Sequence, residues 1–84
     1  MNINTICEKL KEIVGSTLKK RVDISNLNSN TDLVEDIGLS SIEAIQILIR
    51  AENEFGIRLE EKEFSIELVR TIFDLAEYIN KKIA

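Results

Sequence analysis

At 84 residues the chain has room for one domain with a modest core. A chain this short buries roughly 60–65% of its unfolded surface, which leaves no interior for a deep substrate pocket walled by several elements. Fifteen acidic and eleven basic residues give a net charge of −4, an excess that repels phosphate backbones and speaks against a nucleic-acid partner. The absence of histidine removes the commonest general base and metal ligand. The single cysteine, Cys7, permits neither an internal disulfide nor a cysteine metal cluster. No long apolar run or signal-peptide pattern is present, so the expectation is a soluble, cytoplasmic chain without membrane insertion.

The first predicted helix runs from about Thr5 to Lys19. Ile6, Cys7, Leu10, Ile13, Val14 and Leu18 recur at the three-and-four spacing of one buried face, with Ile3 in phase. Cys7 is read as a small buried apolar side chain. Thr5 and Glu8 fit a capping box, and Gly15 weakens the helix by about 1 kcal/mol relative to alanine. The basic run Lys19-Lys20-Arg21 lies where the helix should end and complements its dipole.

Residues 21–40 form a long connection. Asn26, Asn28, Ser29, Asn30, Thr31 and Asp32 favour turns, because their side chains bond nearby backbone. Val22, Ile24, Leu27, Leu33, Val34 and Ile37 punctuate the polar stretch and are the anchors that an ordered loop over the helix ends requires. The second helix is predicted from Ser41 to Phe55. Ser40 caps it, Glu43 closes the capping box, and Gly56 supplies the left-handed stop. A short third helix is predicted over Ser65–Val69, and the polar approach Arg58–Glu63 is the least anchored part of the chain. A fourth helix runs from Ile72 to about Lys82, with Thr71 and Asp74 at its start and Ile72, Leu75, Ala76, Ile79 and Ile83 on its inner face. Proline is absent and strand alternation is weak, so residues 1–84 read as one all-α domain.

The second helix carries more apolar surface than one face needs. Ala44, Ile47, Leu48, Ala51 and Phe55 make one row; Ile42, Ile45 and Ile49 make another. An exposed apolar row marks a contact surface, but the connection 21–40 or the third helix could equally cover it, and the pattern alone does not choose. With Ser40 used as the cap, Ser41 occupies the first helical position and its hydroxyl is free to point outward. A phosphate ester there would sit beside unpaired amides at the positive end of the helix. Taken alone, Ser41 is equally a helix-start serine with no further role.

At these residues the chain resembles the acyl carrier protein family. Asp36-Ile37-Gly38-Leu39-Ser40-Ser41-Ile42 is similar to that family's Asp-Leu-Gly-x-Asp-Ser-Leu pattern. The resemblance continues through Glu54-Phe55-Gly56-Ile57, Arg70-Thr71-Ile72 and Ala76-Glu77-Tyr78-Ile79. It implies a four-helix bundle of acyl-carrier type, with three longer helices, one short third helix and a long ordered loop between the first two. It also implies covalent attachment of 4′-phosphopantetheine from coenzyme A to Ser41 by a phosphopantetheinyl transferase. The arm's thiol would then carry an acyl or aminoacyl group as a thioester to loading and transferring enzymes. The chain itself would be a monomeric carrier with no catalytic residue and no metal. The implied partner surface comprises Leu39, Ser40, Ile42, Ile45, Gln46 and Ile49.

Three features depart from the common fatty-acid carriers. Ser40 replaces the acidic residue before the attachment position. Gln46, Arg50 and Asn53 dilute Glu43, Glu52 and Glu54 along the second helix, and charge patterns of this kind select partners. The segment Glu60–Thr71 is slightly longer. Together they resemble stand-alone carriers of specialised pathways: D-alanyl, peptidyl or polyketide carriers. The alternatives are a housekeeping fatty-acid carrier and a non-covalent helical adaptor that keeps the carrier fold and uses the same isoleucine row. A small enzyme is disfavoured, because nothing surrounds the Asp and Glu side chains to perturb them in a defined pocket.

Overall fold

The computed structural model describes residues 1–18 and 21–83, with only the backbone of Ile24. Three α-helices form the frame: α1 (Ile3–Thr17), α2 (Ser41–Phe55) and α3 (Ile72–Ile83). Short 3-10 turns lie at Ile24–Asn26, Glu61–Glu63 and Ile66–Val69, and no strand occurs among the described residues. The predicted all-helical bundle is therefore present, with its short third helix wound as the 3-10 turn Ile66–Val69 behind the cap Ser65. α1 packs against both α3 and α2, and the 3-10 turn Ile66–Val69 wedges between α2 and α3.

α1 begins earlier than the Thr5 start. The Asn2 side chain accepts the Asn4 amide at 2.7 Å, and the Asn2 carbonyl takes the Ile6 amide at 3.1 Å. Starting at Asn2 brings Ile3 against the core, which a start at Thr5 would leave unwound. The helix ends at Thr17 with Leu18 as its last cap. Lys19 and Lys20 lie outside the described residues. The end of α1 is held from another helix: Arg50 of α2 donates to the Ile13 carbonyl at 3.3 Å and the Thr17 hydroxyl at 3.0 Å, and bonds Ser16 as well. Arg21 does not attend this helix end through its side chain, but reaches α2 instead.

The connection 21–40 is tied down largely as its apolar anchors imply. Leu27, Leu33 and Leu39 are buried, and Val22 and Ile37 pack on the core. The Leu33 amide donates to the Arg70 carbonyl at 2.7 Å, and the Phe73 amide to the Ser29 carbonyl at 3.0 Å. Asp32 accepts the amides of Val34 and Glu35 and pairs with Arg70 at 3.0 Å. These bonds fasten the loop to the start of α3.

The approach Arg58–Glu63 is better anchored than its polar sequence implies. Leu59 is buried, and its amide donates to the Glu52 carboxylate at 2.7 Å. Glu63 accepts from the Tyr78 hydroxyl, pairs with Lys82 at 2.8 Å and takes the Glu60 amide at 2.7 Å. These contacts depress the Glu63 carboxyl to about 2; the Glu60 amide is the largest cause, followed by Lys82 and Tyr78.

A candidate attachment site at the start of α2

The turn before α2 is set by local chemistry. The Val34 carbonyl takes the Gly38 amide, and the Leu33 carbonyl takes the Leu39 amide. Gly38 sits at φ +79°, a left-handed conformation that costs other residues about 1–2 kcal/mol. Leu39 then enters the core and Ser40 turns into the helix. Ser40 Oγ accepts the Glu43 amide at 3.2 Å, while Glu43 Oε1 accepts the Ser40 amide at 3.0 Å. Both halves of the predicted capping box are thus formed.

Arg21 completes this corner. Its guanidinium donates to the Gly38 carbonyl at 3.1 Å and pairs with Glu43. The Glu43 carboxyl is held below its usual range, first by the Ser40 amide and then by Arg21 against the opposing effect of burial. Sequence reasoning placed Arg21 at the end of α1 because it follows two lysines; nothing local announces a partner in Glu43, twenty-two positions along.

Ser41 is the first residue of α2, is exposed, and makes no side-chain hydrogen bond to the described residues. Its own amide and that of Ile42 also lack an acceptor among the described residues, as expected for a first turn. A free hydroxyl, two open amides and the positive helix end together suit a phosphodiester. No group of three or more histidine, cysteine, aspartate or glutamate side chains that could hold a metal occurs among the described residues. Cys7 is buried in the core.

The second row of α2 lies uncovered. Ile42 is 71% exposed, Ile45 43% and Ile49 46%, so neither the loop nor the turn Ile66–Val69 closes over them. Ser40 and Gln46 are exposed beside them. Leu39 is placed differently: only 4% exposed, it supports this surface from beneath and offers nothing to a partner. No helix among the described residues is long and apolar enough to cross a membrane.

Residues 8–79 match the family described as "Phosphopantetheine attachment site". The chain is 31% identical to the acyl carrier protein of Thermosynechococcus vestitus over 84 residues, covering 100% of this chain and 99% of that one. It is 30% identical to the acyl carrier protein of Thermotoga maritima over 78 residues, 93% of this chain and 91% of that one. It is 34% identical to polyketide-8 synthase acyl carrier protein 2 of Streptomyces avermitilis over 58 residues, 69% of this chain and 64% of that one. The chain therefore belongs to the phosphopantetheine-binding acyl carrier family. It is a non-catalytic carrier on which other enzymes act, and its prosthetic group is covalent 4′-phosphopantetheine.

Proposed function

We propose that Ser41 is the attachment residue and that this carrier presents acyl or aminoacyl cargo to enzymes of a specialised pathway: polyketide, nonribosomal peptide or a related one. The observation that carries the first part is the division of labour between two adjacent serines. Ser40 spends its hydroxyl on the Glu43 amide, whereas Ser41 keeps its own free at the exposed helix end. A phosphopantetheinyl transferase joins the Ser41 hydroxyl to the phosphopantetheine of coenzyme A. When bound, the arm supplies a terminal thiol that carries the cargo as a thioester. The residues of the chain position and stabilise: Gly38 and Arg21 fix the turn, Ser40 and Glu43 fix the helix start, and the open amides of Ser41 and Ile42 face the phosphodiester charge.

The pathway assignment is supported by Ser40 in place of an acidic residue, by the diluted acidity of α2 and by the likeness to a polyketide carrier. The end-to-end likeness to proteins named simply acyl carrier protein favours the second reading, a housekeeping fatty-acid carrier. The proposal takes residues 1–84 as one carrier domain, monomeric and cytoplasmic. Ile42, Ile45, Gln46, Ile49 and Ser40 form its enzyme-facing surface.

Intact mass after incubation with a broad-specificity transferase and coenzyme A tests the site. One arm should add to the wild type and to Ser40→Ala, and none to Ser41→Ala. An arm that still adds to Ser41→Ala, or is lost only from Ser40→Ala, refutes the assignment. A biological function that survives Ser41→Ala would mark the chain as a non-covalent adaptor.

A further inference from the structure

The acidic residues of α2 are withdrawn from its outer surface. Glu43 is taken up by Arg21 and the Ser40 amide, Glu52 by the Leu59 amide at 2.7 Å, and Glu54 by Lys9 of α1 at 3.2 Å. The helix's one arginine, Arg50, is spent on the end of α1. At about 100° per residue, Glu43, Arg50 and Glu54 fall on the flank facing α1, and Glu52 on the opposite flank. Between them runs an outward strip of Ile42, Ile45, Gln46, Ile49 and Asn53, all exposed and none charged. It extends about 16 Å along the helix. The nearest uncommitted carboxylates are Glu35 and Asp36, exposed in the turn before Ser41 and without a cationic partner among the described residues.

We infer that the transferase that loads this carrier meets α2 with an apolar, uncharged groove that accepts Ile42, Ile45 and Ile49, and not with a basic patch. The inference rests on Ser41 being the attachment residue and deepens that reading. Charge complementarity supplies the argument. A cationic groove laid over this strip would lose water and gain no free carboxylate, a net cost. An apolar groove recovers the transfer energy of three half-exposed or exposed isoleucines, and can satisfy Gln46 and Asn53 with neutral hydrogen-bonding groups. Any charge attraction is confined to the end of the interface at Glu35 and Asp36, where it steers encounter more than it holds the complex.

The test is the kinetics of arm transfer from coenzyme A by a broad-specificity transferase, read by intact mass. Raising salt from about 0.1 M to about 1 M shortens the screening length from about 10 Å to about 3 Å and should change KM by less than about twofold. Ile45→Ser should raise KM at least about fivefold, the size expected for an interface anchor. Ile49→Gln serves as a second reading, with helicity and melting checked for both. Glu54→Gln, which removes only a bond to Lys9, should leave KM within about twofold, as a rim charge does. A strongly salt-dependent KM, or one that rises for Glu54→Gln and stays constant for Ile45→Ser and Ile49→Gln, overturns the inference while leaving Ser41 in place. Failure of the wild type to take the arm overturns the Ser41 reading and this inference with it.

Discussion

The two long faces of α2 are built from the same kind of side chain and do opposite things. Ile47, with Ala44, Leu48 and Ala51, is sealed into the core, whereas Ile42, Ile45 and Ile49 are left in water. Hydropathy does not distinguish Ile47 from Ile49. What distinguishes them is which flank of the helix has neighbours. α1 lies along the inner side, and Lys9, Arg50 and Arg21 bridge the seam. The turn Ile66–Val69 meets the helix without crossing its outer row. The lesson is that an apolar row reports an interface, and only the tertiary arrangement says whether the interface is internal.

The sharpest way to break that comparison is to truncate the inner row. Ile47→Ala removes a fully buried side chain and leaves a cavity, and should cost about 2–5 kcal/mol of stability in urea unfolding. A cost under 1 kcal/mol, roughly that of an exposed site, would show that the core does not depend on this face. Next in size is the helix start that serves both faces. Ser40→Ala removes the acceptor for the Glu43 amide and should cost about 1 kcal/mol, while leaving Ser41 available for modification.

Acid offers a smaller perturbation, aimed at the border of the outer face. Glu63 titrates at about 2, below the ordinary 4.5, because its charged form is bonded by the Glu60 amide, Lys82 and Tyr78. A depressed carboxyl contributes stability that is fully present above its unfolded value and is lost as pH falls from about 4.5 toward about 2. The effect is modest, because these groups are reached by solvent and screened. Followed by NMR, the Tyr78 ring and the Arg58–Glu63 amides should shift through this window in Glu63 protein and not in Glu63→Gln.

How much of this was legible beforehand depends on how local the cause is. The bounds of α2 were readable from neighbours in sequence: a capping serine, a glutamate three residues on, and a glycine able to take the left-handed stop. The start of α1 was misplaced because two competent caps, Asn2 and Thr5, stand three residues apart, and burial of Ile3 decides between them. The partners of Arg21, Arg50 and Glu63 lie between fifteen and thirty-seven residues away, and no local pattern announces them. Arg21 was assigned to a helix dipole for that reason. The freedom of the Ser41 hydroxyl could be read from capping rules, but its attachment role came only from likeness to a family. Leu39 was placed on the partner surface by motif position, and the turn geometry at Gly38 sends it inward instead.

The smallest expected effect is the one that completes the contrast between the faces. Ile42 is 71% exposed, so truncation to alanine forfeits only a small part of an isoleucine's burial energy. It also replaces a β-branched residue in a helix by the best helix former, a gain of up to about 0.5 kcal/mol. The two terms oppose each other, and Ile42→Ala should unfold within about 0.5 kcal/mol of the wild type. Its cost should appear instead in arm transfer, because the side chain stands beside Ser41 on the strip that an enzyme must cover. A loss of stability approaching that of Ile47→Ala would mean that the outer row is bound to the rest of the molecule after all, and the distinction between the two faces of α2 would fall.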